Sequence, residues 1–212
     1  MELENLLFLK MIKKTAEGVF NMASYKDELQ RVTNLLGENG YLFFGQNMRY
    51  GGTSMYHMIK HLPEEQRVEI PVFEDIQMGM SIGLALKGIK VCSVFARMDF
   101  LILATNQIVN HADRVRLMSK DQFKLKGLII RSAIGSANPL MPGEQHSGDY
   151  CEGLQKMCKE IKVIKLEKAE QIYPAYQEAM ESDIPTILIE LPDLYNQELT
   201  EDLIESRKQV IR

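Results

Sequence analysis

Short apolar runs alternate with longer helical patterns along most of this chain, and that alternation narrows the fold to one class. The runs are Tyr41 to Phe44, Val68 to Ile70, Lys90 to Phe95, Leu128 to Arg131, Lys162 to Leu166 and Thr186 to Leu191. Short strands separated by helices of a dozen residues or more predict crossover units, because parallel neighbours need a long connection. The expected fold is α/β: a three-layer sandwich with a mainly parallel sheet of about six strands and helices on both faces. In such sheets ligands sit at the carboxyl ends of the strands. The loops there are 45–53, 73–74, 95–100, 132–146 and 166–169.

Composition excludes several functions. The net charge of −4 leaves no basic excess to neutralise nucleic-acid phosphates. No stretch reaches the roughly 20 apolar residues of a membrane span. The three cysteines, Cys92, Cys151 and Cys158, form no CxxC and no cluster with histidine, which argues against a zinc site or a disulfide framework. A reducing cytoplasm is the expected setting. GxGxxG after a strand, GxxxxGK[ST] and GxSxG are all absent. His57 and His61 are four apart but lack the HExxH glutamate, and they read as a solvated helix face.

Three segments are expected: a helical extension over 1–22, one domain over 23–196 and a helical tail over 197–212 starting near Thr200. The extension is amphipathic and is read as docking on a partner chain, ahead of packing on its own domain or touching a membrane surface. Ser24, with Asp27 three residues on, predicts a capped helix whose apolar side is Leu29, Val32, Leu35 and Leu36. Further helices are expected over 54–61, 100–118, 147–158 and 168–180.

Within the domain, PVFEDIQMGMSIGLALKG at 71–88 reads as a strand end, a carboxylate and a helix. Gly79 and Gly83 share a face and predict close approach of another backbone. Ile82, Leu84, Ala85 and Leu86 predict a helix buried around most of its circumference. Glu74 opens that helix, where its dipole stabilises a carboxylate. By itself this acid is either a plain first-turn charge or a buried acid facing a ligand.

Four pieces taken in order carry a resemblance. FFGQNMRYGG is a strand end before a glycine loop. PVFEDIQMGMSIGLALKG supplies Pro-x-x-Glu and a helix of spaced glycines. FARMDF is followed by TNQIVNHA. GSANPLMPGEQHS is a loop ending in Gln-His-Ser. From Tyr41 to about Leu194 the chain resembles the pyrimidine-binding domain of thiamine-diphosphate enzymes. It is most similar to the beta subunit of the decarboxylating component of 2-oxo acid dehydrogenases, and more distantly to transketolases.

The resemblance implies roles for particular residues. Glu74 matches the glutamate that hydrogen-bonds the cofactor's aminopyrimidine ring and favours the imino tautomer, whose nitrogen accepts the proton from the thiazolium carbon. Phe100 matches the aromatic that stacks on the pyrimidine. His146 matches a histidine that faces the substrate and can transfer a proton near the reacting carbonyl. Gln46, at the cofactor-binding strand end, stands where the family usually has a glutamate. Asn106 stands in place of an aspartate, and Gln107 and Asn110 match architectural positions. The loop before His146 is about two residues longer than in the dehydrogenase subunits. Arg97, Asp99 and Glu144 add charge near the mouth and suggest a polar or anionic substrate.

Neither the second domain of the beta subunits nor the Gly-Asp-Gly that holds the diphosphate through a divalent cation is found in the sequence. The resemblance therefore implies one half of a cofactor site. The expected protein is the pyrimidine-binding subunit of a heteromeric enzyme acting on a 2-oxo acid, assembled with an alpha-type diphosphate-binding subunit as a heterotetramer. Thiamine diphosphate is the expected cofactor, with Mg2+ held mainly by the partner and no metal ligand on this chain. A split transketolase-like ketol transferase and a non-catalytic scaffold are the alternatives.

Overall fold

The computed structural model describes residues 24–136 and 141–197. The helices expected over 1–22 and from Thr200 onward lie outside the described residues. The rest forms the expected three-layer α/β sandwich around a six-stranded sheet with every pairing parallel.

The strands are β1 (Leu42–Gly45), β2 (Arg67–Glu69), β3 (Val91–Val94), β4 (Leu128–Ala133), β5 (Lys162–Lys165) and β6 (Thr186–Glu190), in the order β2-β1-β3-β4-β6-β5. The helices are α1 (Tyr25–Glu38), α2 (Ser54–Ile59), α3 (Glu74–Leu86), α4 (Met98–Leu101), α5 (Val115–Met118), α6 (Cys151–Met157) and α7 (Ala169–Glu181). Strand order reverses between β1 and β3, the switch point at which sheets of this kind open a crevice.

The period of two along the strands feeds two cores. Phe43, Cys92, Ile129 and Leu188 point to the layer of α1, α2 and α7, where Leu29, Val32, Met58 and Tyr176 meet them. Phe44, Val91, Ile130 and Ile187 point to the layer of α3, α4 and α6, against Met78, Ile82, Leu101 and Leu154. All of β4 and β6 is buried, as a central strand covered on both faces must be. The Ser24–Asp27 capping box starts α1 as expected: Ser24 Oγ accepts from the Asp27 amide at 3.3 Å and Asp27 Oδ2 accepts from the Ser24 amide at 2.6 Å.

The helix expected over 100–118 is broken. After α4 come a 3-10 turn at Ile102–Ala104 and a π turn at Gln107–Ala112, and then α5. The Asp113 amide reaches the Ile108 carbonyl, five residues back, at 2.9 Å. This wide turn delivers Asp113, 1% exposed, to the turn before β5. There its carboxylate accepts from the amides of Lys159, Glu160 and Ile161 at 2.8–3.0 Å. Asp113→Ala strips these amides, of which that of Ile161 is buried, of their acceptor and is expected to cost about 3 kcal/mol in urea unfolding.

Two expectations for α3 are corrected. One face is buried, and it includes the polar Gln77 and Ser81, while Ile76, Met80 and Leu86 are exposed. Among the described residues no backbone approaches the glycines either. A Cβ on Gly79 would meet only the Gln107 side chain, at an ordinary 3.5 Å, and one on Gly83 would face open space.

Candidate functional site

The site lies at the carboxyl ends of β1, β2 and β3, beside the switch point. Gly45 ends β1 where the chain passes close to β3: a Cβ there would lie 2.2 Å from the Val94 carbonyl oxygen, so only glycine fits. The next turn is fixed by Glu69 of β2, whose two carboxylate oxygens accept from the Asn47 and Arg49 amides, each at 2.8 Å. Asn47 takes the left-handed conformation at φ 59, which asparagine tolerates better than most residues. Gln46 is held between these two fixed points.

Helix α3 is pinned over the same strands. The buried Gln77 amide group donates to the Val94 carbonyl at 2.9 Å and to the Phe44 carbonyl at 3.3 Å. Ser81 Oγ donates to the Gln77 carbonyl at 2.8 Å and bonds Ser93 Oγ at 3.0 Å. These contacts set the first turn of α3, and with it Glu74, against the end of β1. Glu74 is only 6% exposed, and Gln46 Nε2 donates to its Oε1 at 3.1 Å. Glu74 is therefore buried rather than a solvated first-turn charge. Where a glutamate at position 46 would place a second negative charge beside Glu74, glutamine supplies a hydrogen-bond donor.

The second half of the site is built by α4 and the loop after β4. The rings of Phe100 and His146 meet edge to face with centroids 5.4 Å apart. Two features bring His146 there. A Cβ on Gly135 would sit 1.8 Å from the His146 carbonyl oxygen, so the glycine lets the returning loop lie against the end of β4. Asp99, one residue before Phe100, accepts from the Gly148 amide through Oδ1 at 3.2 Å. His146 Nδ1 is buried without a hydrogen-bond partner, as is Asp99 Oδ2. Buried polar atoms without partners are uncommon, and at a cleft they mark where a ligand atom completes the network.

The structure thus joins the four site residues two by two, Gln46 with Glu74 and Phe100 with His146, beyond the carboxyl ends of neighbouring strands. Of the charges expected near the mouth, Arg97 and Asp99 are half-buried and Glu144 is exposed. Gln107 donates to Asp75 at 3.2 Å and Asn110 donates to Asn106 at 3.0 Å, contacts that are structural in character. Among the described residues no group of three or more His, Cys, Asp and Glu could hold a metal ion, and no helix is long and apolar enough to cross a membrane.

One polar cluster beneath this rim gave no sequence signal. Arg131 of β4 and Glu190 of β6 are both fully buried and form an ion pair. Arg131 also donates to Thr33 Oγ1 at 2.8 Å, and the Tyr195 hydroxyl donates to Glu190 at 2.9 Å. Burial works against the Arg131 charge, but Glu190, with Tyr176 and Cys92, more than offsets it and holds the guanidinium protonated. Burial likewise pushes the Cys92 thiol up to about 12, so this cysteine is an inert core residue.

Comparison with known proteins shows the family. The family model of the transketolase pyrimidine-binding domain matches residues 24–197. The chain is 32% identical over 161 residues to the chloroplastic pyruvate dehydrogenase E1 component subunit beta-3 of Oryza sativa subsp. japonica, covering 72% of this chain and 39% of the relative. It is 29% identical over 187 residues to the pyruvate dehydrogenase E1 component subunit beta of Chaetosphaeridium globosum, covering 84% and 52%. The chain thus spans between two fifths and about half of these relatives' length. Among solved structures, a split-gene transketolase described as an inactive beta4 tetramer superposes with a TM-score of 0.59 at 15% identity, over 78% of this chain and 50% of that one. That likeness concerns the fold alone. Matched over most of its length by the family model, the chain belongs to the transketolase pyrimidine-binding domain family.

Proposed function

We propose that this chain is the pyrimidine-binding subunit of a heteromeric thiamine-diphosphate enzyme acting on a 2-oxo acid. The observation that carries this reading is Glu74, a carboxylate buried at the switch point and held by Gln46. A thiamine pyrimidine needs a buried acceptor for a ring-nitrogen proton and an apolar face to lie against. Glu74 and Phe100 fit these needs, and the unpartnered His146 Nδ1 fits a polar ligand atom. Glu74, Gln46 and Phe100 would hold the pyrimidine end. When bound, thiamine diphosphate supplies a carbon nucleophile and an electron sink for cleavage beside a carbonyl. Glu74 holds a proton at the pyrimidine ring nitrogen. Gln46 orients Glu74, and its neutral amide accepts no proton in a relay. His146 holds or donates a proton on the substrate side.

The diphosphate end needs a second wall, which we assign to an alpha-type chain that also holds Mg2+, in a heterotetramer with two sites. The surface around α3 supports a partner there. Phe73, Ile76 and Met80 lie along one side of the helix and are 61%, 51% and 48% exposed, and Leu103 nearby is 60% exposed. Apolar side chains grouped in this way on a surface mark an interface. Decarboxylation with acyl transfer or carboligation ranks ahead of ketol transfer, because the curated relatives named above are pyruvate dehydrogenase beta subunits. A scaffold without chemistry fits less well, since Glu74 is kept buried at a cost that a scaffold need not bear. The Glu74→Gln variant, assembled with its partner, tests the reading: turnover is lost while the complex still forms.

A further inference from the structure

A cavity of about 350 Å³ opens at the carboxyl ends of β3, β4 and β6, between the start of α1 and the loop after β1. Its volume falls in the range of small-molecule sites. Among its described walls Lys26 and Arg97 are the charged residues and there is no carboxylate. Thr53, Ser54 and Ser136 add hydroxyl groups. Tyr195 also lines the cavity, and its hydroxyl donates to Glu190 at 2.9 Å.

Arg97 is the decisive residue. Its Nη1 is buried and has no hydrogen-bond partner. A guanidinium keeps its charge at any physiological pH, so leaving one of its nitrogens buried and unpaired is costly unless an anion comes to it. The planar fork of arginine binds carboxylate and phosphate oxygens through two parallel hydrogen bonds. We propose that this cavity binds the anionic end of a small molecule, a carboxylate or a phosphate ester remote from the reacting carbon, with Arg97 as the main contact and Lys26 as the second.

Arg97 is also the residue from which α4 starts, three positions before Phe100. An anion held on Arg97 is therefore anchored to the segment that carries one wall of the Glu74 site. That this anion belongs to the substrate rests on the thiamine-diphosphate reading; the anion site itself does not.

The test is calorimetric titration of the full chain with inorganic phosphate and with malonate, each against sodium chloride at matched ionic strength. At least one of the two oxyanions is expected to bind beyond the chloride response. Phosphate alone assigns a phosphate ester, and malonate alone assigns a carboxylate. Arg97→Gln is expected to weaken binding by about tenfold or more and Lys26→Gln by about threefold. Binding of neither oxyanion, or equal binding by a folded Arg97→Gln chain, overturns the proposal. Should Arg97→Gln fail to fold, Arg97→Lys and Lys26→Gln decide, and parental affinity in both overturns it. Anion binding without thiamine-dependent turnover in the assembled enzyme removes the functional reading and keeps the site. Turnover without anion binding does the reverse.

Discussion

Glu74→Gln is expected to lower turnover of the assembled enzyme by about 10²- to 10⁴-fold, the range that general acid–base groups supply. The substitution keeps the size and shape of the side chain but removes its capacity to hold a proton for the cofactor ring. The new amide oxygen can still accept from Gln46, which now donates to Glu74 Oε1 at 3.1 Å. Stability should therefore change by less than about 1 kcal/mol. Turnover measured beside urea unfolding and size-exclusion chromatography separates the cases. Lost activity in a folded, assembled variant supports the chemistry. Activity within about threefold of the parent would reduce Glu74 to the plain first-turn charge that a sequence reading leaves open.

Arg131→Met should be the most destabilising single change at the rim, by about 3–5 kcal/mol, because it leaves Glu190 buried beside an apolar side chain. Glu190 would keep the Tyr195 hydroxyl, at 2.9 Å, as a neutral donor. Thr33 Oγ1 would lose the guanidinium that now donates to it at 2.8 Å. The second half of the prediction is sharper. The double variant Arg131→Met/Glu190→Leu should recover most of that loss, since replacing both members of a buried pair by apolar groups is often neutral. Urea denaturation of the two singles and the double gives the coupling. Simple addition of the single losses would mean that the pair is not the source of the effect.

The layers and the strand order follow from features that a sequence displays. Short apolar runs spaced by helical patterns dictate crossovers, and Ser24 with Asp27 marks the start of α1 because a capping box is a local contact. Glu74, Phe100 and His146 were legible only through their order along the chain. Each is ordinary alone, and what makes Glu74 unusual is its burial against the end of β1, which depends on Gly45 and Gln77. What stayed hidden depends on distant partners. Asp113 looks like a polar residue on an unbroken helix, and nothing nearby shows that three amides some 46 to 48 positions later will need it. Arg131 reads as the polar end of a strand, and its partner Glu190 lies 59 positions away. The outer face of α3 misleads in the other direction. Its apolar residues read as core, yet among the described residues nothing covers Ile76 or Met80, as expected if the covering surface belongs to another polypeptide.

The central claim is that this chain holds half of a cofactor site. Its most direct test is calorimetric titration of thiamine diphosphate with Mg2+ into the full chain alone and into the chain mixed with its diphosphate-binding partner. The chain alone buries only the pyrimidine end, so its dissociation constant should be weaker than about millimolar. With the partner present, binding should tighten by about a hundredfold or more, and Glu74→Gln should weaken it again. Micromolar, Mg2+-dependent binding by the chain alone would contradict the account.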